Sequence, residues 1–326
     1  MTQDIYKIEP TSEQIKAISP YNQVVASQQF DKEFLEEFFK RVDFMKQNQY
    51  NVMDRLKGKI VTLLFYEPST RTFDSFNTAA LRLGAQTKAI LDPQKFSSAS
   101  KGETLKDSLL IYQNNCDFLI MRHNEDYASY EAANIMNKPF INAGSGKWQH
   151  PTQALLDLYT IKEKLKKLNN FTITVAGDLK RGRTVESLVY LMSHYENNKF
   201  IFVAPNNSKI KPSILEYLKE KGIEFKETDD LNKVLAKTDI LYMTRIQKER
   251  FDNKEEYIAA KGKTIITGEN IKLMPKNSIL MHPLPRIDEI EHCVDNDPRA
   301  IYFDQANNGL FVRMALLDMI NEKTYN

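Results

Sequence analysis

Apolar positions along the chain follow two alternating rhythms. Ile60 to Phe65 is an unbroken, partly β-branched apolar run, which predicts a buried strand over about 59–66. Behind it, Phe76, Ala79, Ala80 and Leu83 recur at helical spacing and Gly84 stands as a stop, predicting a helix over about 71–83. Upstream, Phe34, Leu35, Phe38, Phe39, Val42 and Met45 lie among charges and predict an amphipathic helix over 31–57, after an irregular lead-in over 1–30. Downstream the pattern gives a strand at Thr87–Leu91, a small polar loop over 97–103 and a helix from Glu103 to Tyr112. A strand from Asp117 to Met121 ends at Arg122-His123, and a helix near 128–137 and a strand near 139–142 follow. Ala143-Gly144-Ser145-Gly146 reads as a flexible turn.

At His150-Pro151-Thr152-Gln153 a long helix opens, with Leu155, Leu158, Ile161, Leu165 and Leu168 on its inner side. Alternation then restarts. Strands are expected at 171–177, 199–204, 223–227, 238–243 and 278–281, with helices at about 183–195, 211–221 and 229–237 and a last helix from Gly309 to Ile320. Alternating strands and helices mean parallel sheets covered by helices. The expected fold class is α/β: two doubly wound parallel-sheet domains with the active site in the cleft between them. The domains are expected over 1–149 with 306–326, and over 150–305.

Composition narrows the function. In 326 residues, 27% are charged and 42% hydrophobic, and Lys+Arg exceed Asp+Glu by only two, 45 against 43. Near-neutrality argues against a general nucleic-acid binder or a membrane-surface protein. No apolar run approaches the ~20 residues that span a bilayer. The two cysteines, Cys116 and Cys293, have no metal-ligand spacing, and Cys116 beside Phe118-Leu119-Ile120-Met121 is expected to be a buried, reduced thiol. The first residues lack a basic segment followed by an apolar core, so a cytoplasmic protein is expected.

Candidate chemistry gathers where strands are expected to end. Between the strand at 59–66 and its helix, Pro68-Ser69-Thr70-Arg71-Thr72 offers helix N–H groups, three hydroxyls and a guanidinium, which suits a phosphate or another oxyanion as well as it suits an ordinary helix cap. Arg122-His123, Asp178 to Thr184, Thr244-Arg245 and His282 to Arg286 fall at four further strand ends, and in doubly wound sheets ligands sit beyond such ends. Gly177-Asp178-Leu179-Lys180-Arg181-Gly182-Arg183-Thr184 has P-loop spacing, but with Arg183 where that motif needs its lysine, and no apolar strand ending in a metal-binding Asp accompanies it. There is no HExxH, no Gly-x-Ser-x-Gly and no GxGxxG, so zinc, serine-hydrolase and NAD chemistry are disfavoured. In His282-Pro283-Leu284-Pro285 two prolines lack N–H groups and stiffen the segment, whose carbonyls suit an –NH2.

Taken in order, Phe65-Tyr66-Glu67-Pro68-Ser69-Thr70-Arg71-Thr72, Lys101-Gly102-Glu103-Thr104, Met121-Arg122-His123, His150-Pro151-Thr152-Gln153, Gly177-Asp178-Leu179-Lys180 with Gly182-Arg183-Thr184, Tyr242 to Arg250 and His282-Pro283-Leu284-Pro285-Arg286 resemble the catalytic chain of the aspartate carbamoyltransferases. The likeness runs from about residue 58 to the C-terminal helix. It implies transfer of a carbamoyl group from carbamoyl phosphate to L-aspartate, giving N-carbamoyl-L-aspartate and phosphate, an early step of pyrimidine synthesis. The first domain would then bind carbamoyl phosphate and the second aspartate.

By the same resemblance, Ser69, Thr70, Arg71 and Thr72 hold the phosphate with Arg122. Thr72, Arg122 and His150 face the carbonyl oxygen, so that Arg71, Thr72, Arg122 and His150 form the catalytic set. Gln153 and the carbonyls of Leu284 and Pro285 hold the carbamoyl –NH2. Arg183, Arg245 and Gln247 take the aspartate carboxylates, and Lys101 reaches in from a neighbouring subunit. The resemblance implies a homotrimer with shared sites, admits separate regulatory chains, and calls for no cofactor, metal, nucleic acid or membrane. Ornithine carbamoyltransferase, the nearest rival, typically has Cys where this chain has Pro283, and its cationic acceptor does not suit Arg183 and Arg245. A noncatalytic anion binder would have lost a donor, whereas Arg71, Arg122, His150 and Arg183 are all present. One departure is Phe73, followed by Asp74, where the family commonly has Arg; a change in ion pairing beside the phosphate turn is expected.

Overall fold

The computed structural model describes residues 8–96, 102–246, 255 and 264–325. Packing divides the chain into two units, Met1–Tyr159 with Asn308–Asn326, and Thr160–Asn307. Both are parallel α/β sheets, as the alternation requires.

The first unit runs α1 Ser12–Lys16, β1 Gln23–Val24, α2 Lys32–Asn48, β2 Ile60–Phe65, α3 Thr70–Arg82, β3 Gln86–Leu91, α4 Pro93–Phe96, α5 Leu105–Tyr112, β4 Phe118–His123, α6 Ala128–Ile135 and β5 Phe140–Ser145, and the chain leaves it along α7 Pro151–Leu165. The strand order is β1-β5-β4-β2-β3, every pair parallel. The central strands β4 and β5 are buried at every position and β2 at all but its first, while β3, at the edge, is exposed or half-exposed throughout. Apolar runs in β2 and at the start of β4 lie at the sheet centre, each buried Leu or Ile contributing about 2 kcal/mol.

The lead-in is more ordered than expected. Thr11 and Gln14 form a reciprocal capping box that starts α1. Gln29 ties β1 down, accepting from the Val25 amide at 2.6 Å and donating to the Gln23 carbonyl at 2.7 Å. Helix α2 begins where Asp31 accepts from the Phe34 amide and stops at Asn48, short of 57. Its apolar face ends with Met45; Val52 and Leu56 are buried from turns instead, the Leu56 amide donating to the Leu83 carbonyl.

The turn expected over 143–146 is corrected. Ala143, Gly144 and Ser145 continue β5 and are buried. The Asn142 side chain donates to the Val25 carbonyl and accepts from the Gly144 amide, both at 2.8 Å, and Gly144 bends the strand at φ +121°. The reversal follows, with the Trp148 amide on the Ser145 carbonyl.

The second unit holds β6 Thr172–Ala176, α8 Arg183–Met192, β7 Lys199–Val203, α9 Pro212–Glu220, β8 Phe225–Thr228, α10 Asn232–Leu235, β9 Ile240–Met243 and β10 Ile279–Met281. Its order is β10-β9-β6-β7-β8, again all parallel. The last helix, α11 Tyr302–Tyr325, begins well before Gly309. Gly309 lies inside the helix, and glycine is required there because a Cβ would meet the Arg313 guanidinium at 2.5 Å.

Each sheet has one point where the chain reverses its direction of growth. From β2 the chain adds β3 on one side and returns to add β4 on the other; from β6 it adds β7 and β8, then returns to add β9. In open α/β sheets a ligand is accommodated at the carboxyl ends of the strands flanking such a point.

Candidate active site

The first switch point carries the phosphate-type turn. Phe65, the last residue of β2, is in register with Arg122 of β4, and the Tyr66 amide donates to the Arg122 carbonyl at 2.8 Å. Ser69 caps α3 in an extended conformation, φ −159° and ψ 92°, without a capping bond from its side chain. The first amides of α3 have no carbonyl within the helix to serve them, and the hydroxyl of Ser69 is not spent on them. An anion placed there meets N–H groups and the positive end of the helix. Thr72 is buried and Arg71 exposed on this turn, and the Ser75 hydroxyl donates to the Arg71 carbonyl at 2.6 Å.

Arg122 is itself buried. Its Nη2 lies 2.9 Å from the Glu67 carboxylate and its Nη1 donates to the Ala143 carbonyl at 3.3 Å, so β2, β4 and β5 together fix the guanidinium. His123 beside it is buried against Tyr66, ring centroids 4.4 Å apart, and accepts through Nδ1 from the Glu125 amide. Burial pushes its pKa down to about 4, with Glu67 opposing, so the ring is neutral at pH 7.

His150 is buried just before α7, where Pro151 takes the first helical position and needs no N–H partner. The His150 carbonyl accepts from the amides of Gln153 and Ala154. Gln153, in the first turn, donates through Nε2 to Asp157 at 2.8 Å. Of the expected first-unit residues, Ser69, Thr70, Arg71, Thr72 and Arg122 thus lie at the switch point, and His150 and Gln153 follow β5, the strand next to β4. Lys101 falls outside the described residues.

Phe73 serves packing. Its ring stands edge-on to Phe65, centroids 5.5 Å apart and planes at 88°. An aromatic contact thus runs from the end of β2 to the first turn of α3.

The second switch point carries the other arginines. Gly177 ends β6 at φ +120°, and a Cβ there would lie 2.2 Å from the Thr244 carbonyl oxygen, so only glycine lets the two loops approach. The amides of Leu179 and Lys180 both donate to the Ser208 carbonyl, at 2.9 and 3.1 Å. A P-loop would need such amides for phosphate, so its geometry is missing here despite the spacing. Asp178 is buried and accepts from the Arg181 amide. Arg183 opens α8 and is buried; Arg245, half-buried, follows β9 by two residues. Two guanidiniums at one switch point suit a ligand with two carboxylates. Gln247 lies outside the described residues.

Just after β10, His282 is buried. Its amide donates to Gln305 Oε1, its Nδ1 accepts from the Leu284 amide, each at 2.8 Å, and its Nε2 lies 2.7 Å from Glu289. The Leu284 bond assigns the ring proton to Nε2, which donates to the carboxylate. Glu289 also accepts from the amides of Ile287 and Asp288. Burial pushes Glu289 up, but its bond with His282 outweighs this together with the backbone amides, leaving the carboxyl below its usual range. The pair holds Leu284 at φ +52°, ahead of a cis peptide to Pro285. Arg286, paired with Asp295 and Tyr302, anchors the far side. Sequence alone does not single out Glu67, Asp157 or Glu289, and of these only Glu67 stands inside a recognised motif.

Both cysteines are free, Cys116 buried with its thiol pushed up by burial and Cys293 exposed. Among the described residues no three His, Cys, Asp or Glu come together as a metal site, and no helix is long and apolar enough to cross a membrane.

Comparison with known proteins also divides the chain in two, with the second match running on into the C-terminal helix that packs with the first unit. Residues 22–163 match the carbamoyl-P binding domain, and residues 169–320 the Asp/Orn binding domain, of aspartate/ornithine carbamoyltransferase. Aspartate carbamoyltransferase 1 of Pisum sativum, a chloroplastic protein, is 47% identical over 300 residues, covering 91% of this chain and 78% of its own. The catalytic subunit of M. jannaschii aspartate transcarbamoylase superposes with a TM-score of 0.85 at 41% identity, over 93% of this chain and 99% of that one. Aspartate transcarbamoylase of Trypanosoma cruzi, in complex with N-(phosphonacetyl)-L-aspartic acid, superposes with a TM-score of 0.87 at 38% identity, over 93% and 96% of the two chains. Matched in both halves and nearly end to end, the chain belongs to the aspartate/ornithine carbamoyltransferase family.

Proposed function

We propose that this enzyme transfers the carbamoyl group of carbamoyl phosphate to the amine of L-aspartate, releasing phosphate and N-carbamoyl-L-aspartate. The observation that carries the reading is the repeated one: each sheet places arginine-bearing loops at its switch point, Arg71 and Arg122 in the first unit, Arg183 and Arg245 in the second. Ser69, Thr70, Arg71 and Thr72 take the phosphate of the donor with Arg122. Thr72, Arg122 and His150 donate to the carbonyl oxygen, and Gln153 with the carbonyls of Leu284 and Pro285 accepts from the –NH2.

The aspartate amine attacks the carbonyl carbon. A C–N bond forms, the C–O bond to phosphate breaks, and the leaving phosphate takes the amine proton. Negative charge grows on the carbonyl oxygen as this happens, and each donor aimed there lowers the barrier by ~3 kcal/mol. Placement and charge stabilisation suffice, with no covalent enzyme intermediate.

Arg183, Arg245 and Gln247 hold the aspartate carboxylates. An ornithine chain would set an ammonium among those guanidiniums, which disfavours it by charge repulsion. We also propose a homotrimer in which Lys101 completes a neighbour's site, and action in the cytoplasm, where two free thiols are at home. Steady-state assays with carbamoyl phosphate and either amine test the acceptor. Turnover of L-aspartate is expected; turnover of L-ornithine alone overturns the reading.

A further inference from the structure

We propose that Asp157 is a positioning residue that fixes which end of the Gln153 amide faces the donor substrate, and thereby makes the site select an –NH2 over a group of the same size that cannot donate. The proposal rests on the role given to Gln153 above.

Gln153 and Asp157 stand four residues apart on α7, one turn along the same face, and Gln153 Nε2 lies 2.8 Å from Asp157 Oδ1. A carboxylate only accepts, so it pairs with the –NH2 end of the amide and rejects the oxygen end. Rotating the amide by half a turn would set Oε1 against the carboxylate, oxygen to oxygen. Gln153 is therefore held with Oε1 turned to the side away from Asp157. An acceptor fixed there is satisfied by an N–H and left unsatisfied by a methyl group or an oxygen.

The fixing charge is itself supported. Asp157 is completely buried, and the helix α11 residue Arg313, also buried, supplies the opposite charge that it feels. Burial pushes the Arg313 pKa down to about 9, against the pull of Asp157, so the guanidinium remains charged at neutral pH. It lies 4.9 Å over the Phe76 ring, a cation–π contact in the helix that begins with the phosphate turn. Gly309 supplies the room, since a Cβ there would come within 2.5 Å of the Arg313 Nη1. A helix-breaking residue inside α11 thus makes space for a buried cation, whose charge complements the carboxylate that orients Gln153.

The test uses two hydrolysis-stable phosphonates that differ only at the group in question: phosphonoacetamide, with –CO–NH2, and acetonylphosphonate, with –CO–CH3. Their dissociation constants, and that of inorganic phosphate, are measured by calorimetry on the whole protein and on Asp157→Asn, Asp157→Ser and Gln153→Ala. The native enzyme is expected to prefer the amide by about tenfold, the worth of one well-made hydrogen bond. Asn or Ser at 157 can donate as well as accept, which frees the Gln153 amide to turn. In either variant the preference is expected to fall to about twofold or less, while phosphate affinity, which reports a folded site, stays within about twofold. Loss of the preference in Gln153→Ala with full preference in both Asp157 variants overturns the role of Asp157 alone. Full preference in Gln153→Ala overturns the reading of Gln153, and the role of Asp157 with it.

Discussion

Arg122 Nη2 lies 2.9 Å from the carboxylate of Glu67, so the buried cation of β4 is held by the turn that leaves β2. Two effects oppose each other at this pair. The carboxylate fixes the guanidinium, and it also repels an incoming phosphate. Glu67→Gln removes the charge and keeps the shape. We expect kcat to fall about tenfold, because Arg122 loses its alignment on the carbonyl oxygen it is proposed to serve. KM for carbamoyl phosphate should change by less than about threefold, since relief of repulsion offsets looser binding. Steady-state kinetics at saturating aspartate separate the two constants.

His123 predicts a pH dependence of stability. Its pKa is about 4 in the folded chain, lowered by burial from an ordinary 6.5. Between those values the unfolded chain binds the proton and the folded chain does not, so stability rises with pH across that window. It is complete above 6.5 and lost as pH falls towards 4, by about 3 kcal/mol for this residue. His123→Asn keeps an acceptor for the Glu125 amide and removes the titration. Urea unfolding from pH 4 to 7 should show a flatter profile for the variant than for the native chain; parallel profiles would contradict the assignment.

Gly177→Ala should destabilise the protein by about 3 kcal/mol or more, because a Cβ would strike the Thr244 carbonyl and the backbone angle is unfavourable for any L side chain. Thermal unfolding reads the loss directly. In chains that remain folded, KM for aspartate should rise more than KM for carbamoyl phosphate, since the β6 and β9 loops carry Arg183 and Arg245.

The alternation of apolar runs with helical periodicity made both sheets legible, because centrally buried parallel strands must be apolar on both faces. β2 and α3 fell within a residue or so of their expected bounds for that reason. Short elements held by side chains were not legible. β1 is two residues long and depends on Gln29, and the end of β5 depends on Asn142, so local pattern gives no sign of either. Glycine misled at Gly144, which lies in a strand and not in a turn, at a backbone angle of φ +121°. Arg71, Arg122, Arg183 and Arg245 were legible as strand-end cations. Asp157, Glu289 and the orientation of Gln153 were not, because only folding sets them against their partners.

The proposed sharing of sites between subunits makes a complementation experiment decisive for Lys101. Chains carrying Lys101→Ala and chains carrying Arg71→Ala are expected to be nearly inactive alone. Mixed trimers should regain about a quarter to a third of native activity, because one kind of interface then contains both intact residues. No recovery in mixed trimers verified by mass would argue against Lys101 acting across the interface.

The central claim is that both arginine-bearing switch points bind one pair of substrates. Binding of N-(phosphonacetyl)-L-aspartate, which joins a phosphonate to an aspartate in one molecule, tests it most directly. Titration calorimetry on the native chain, Arg71→Ala, Arg245→Ala and the exposed-site control Lys180→Ala should give tight binding that falls at least about a hundredfold in each arginine variant and changes less than about threefold in the control. Undiminished affinity in either arginine variant would contradict the account.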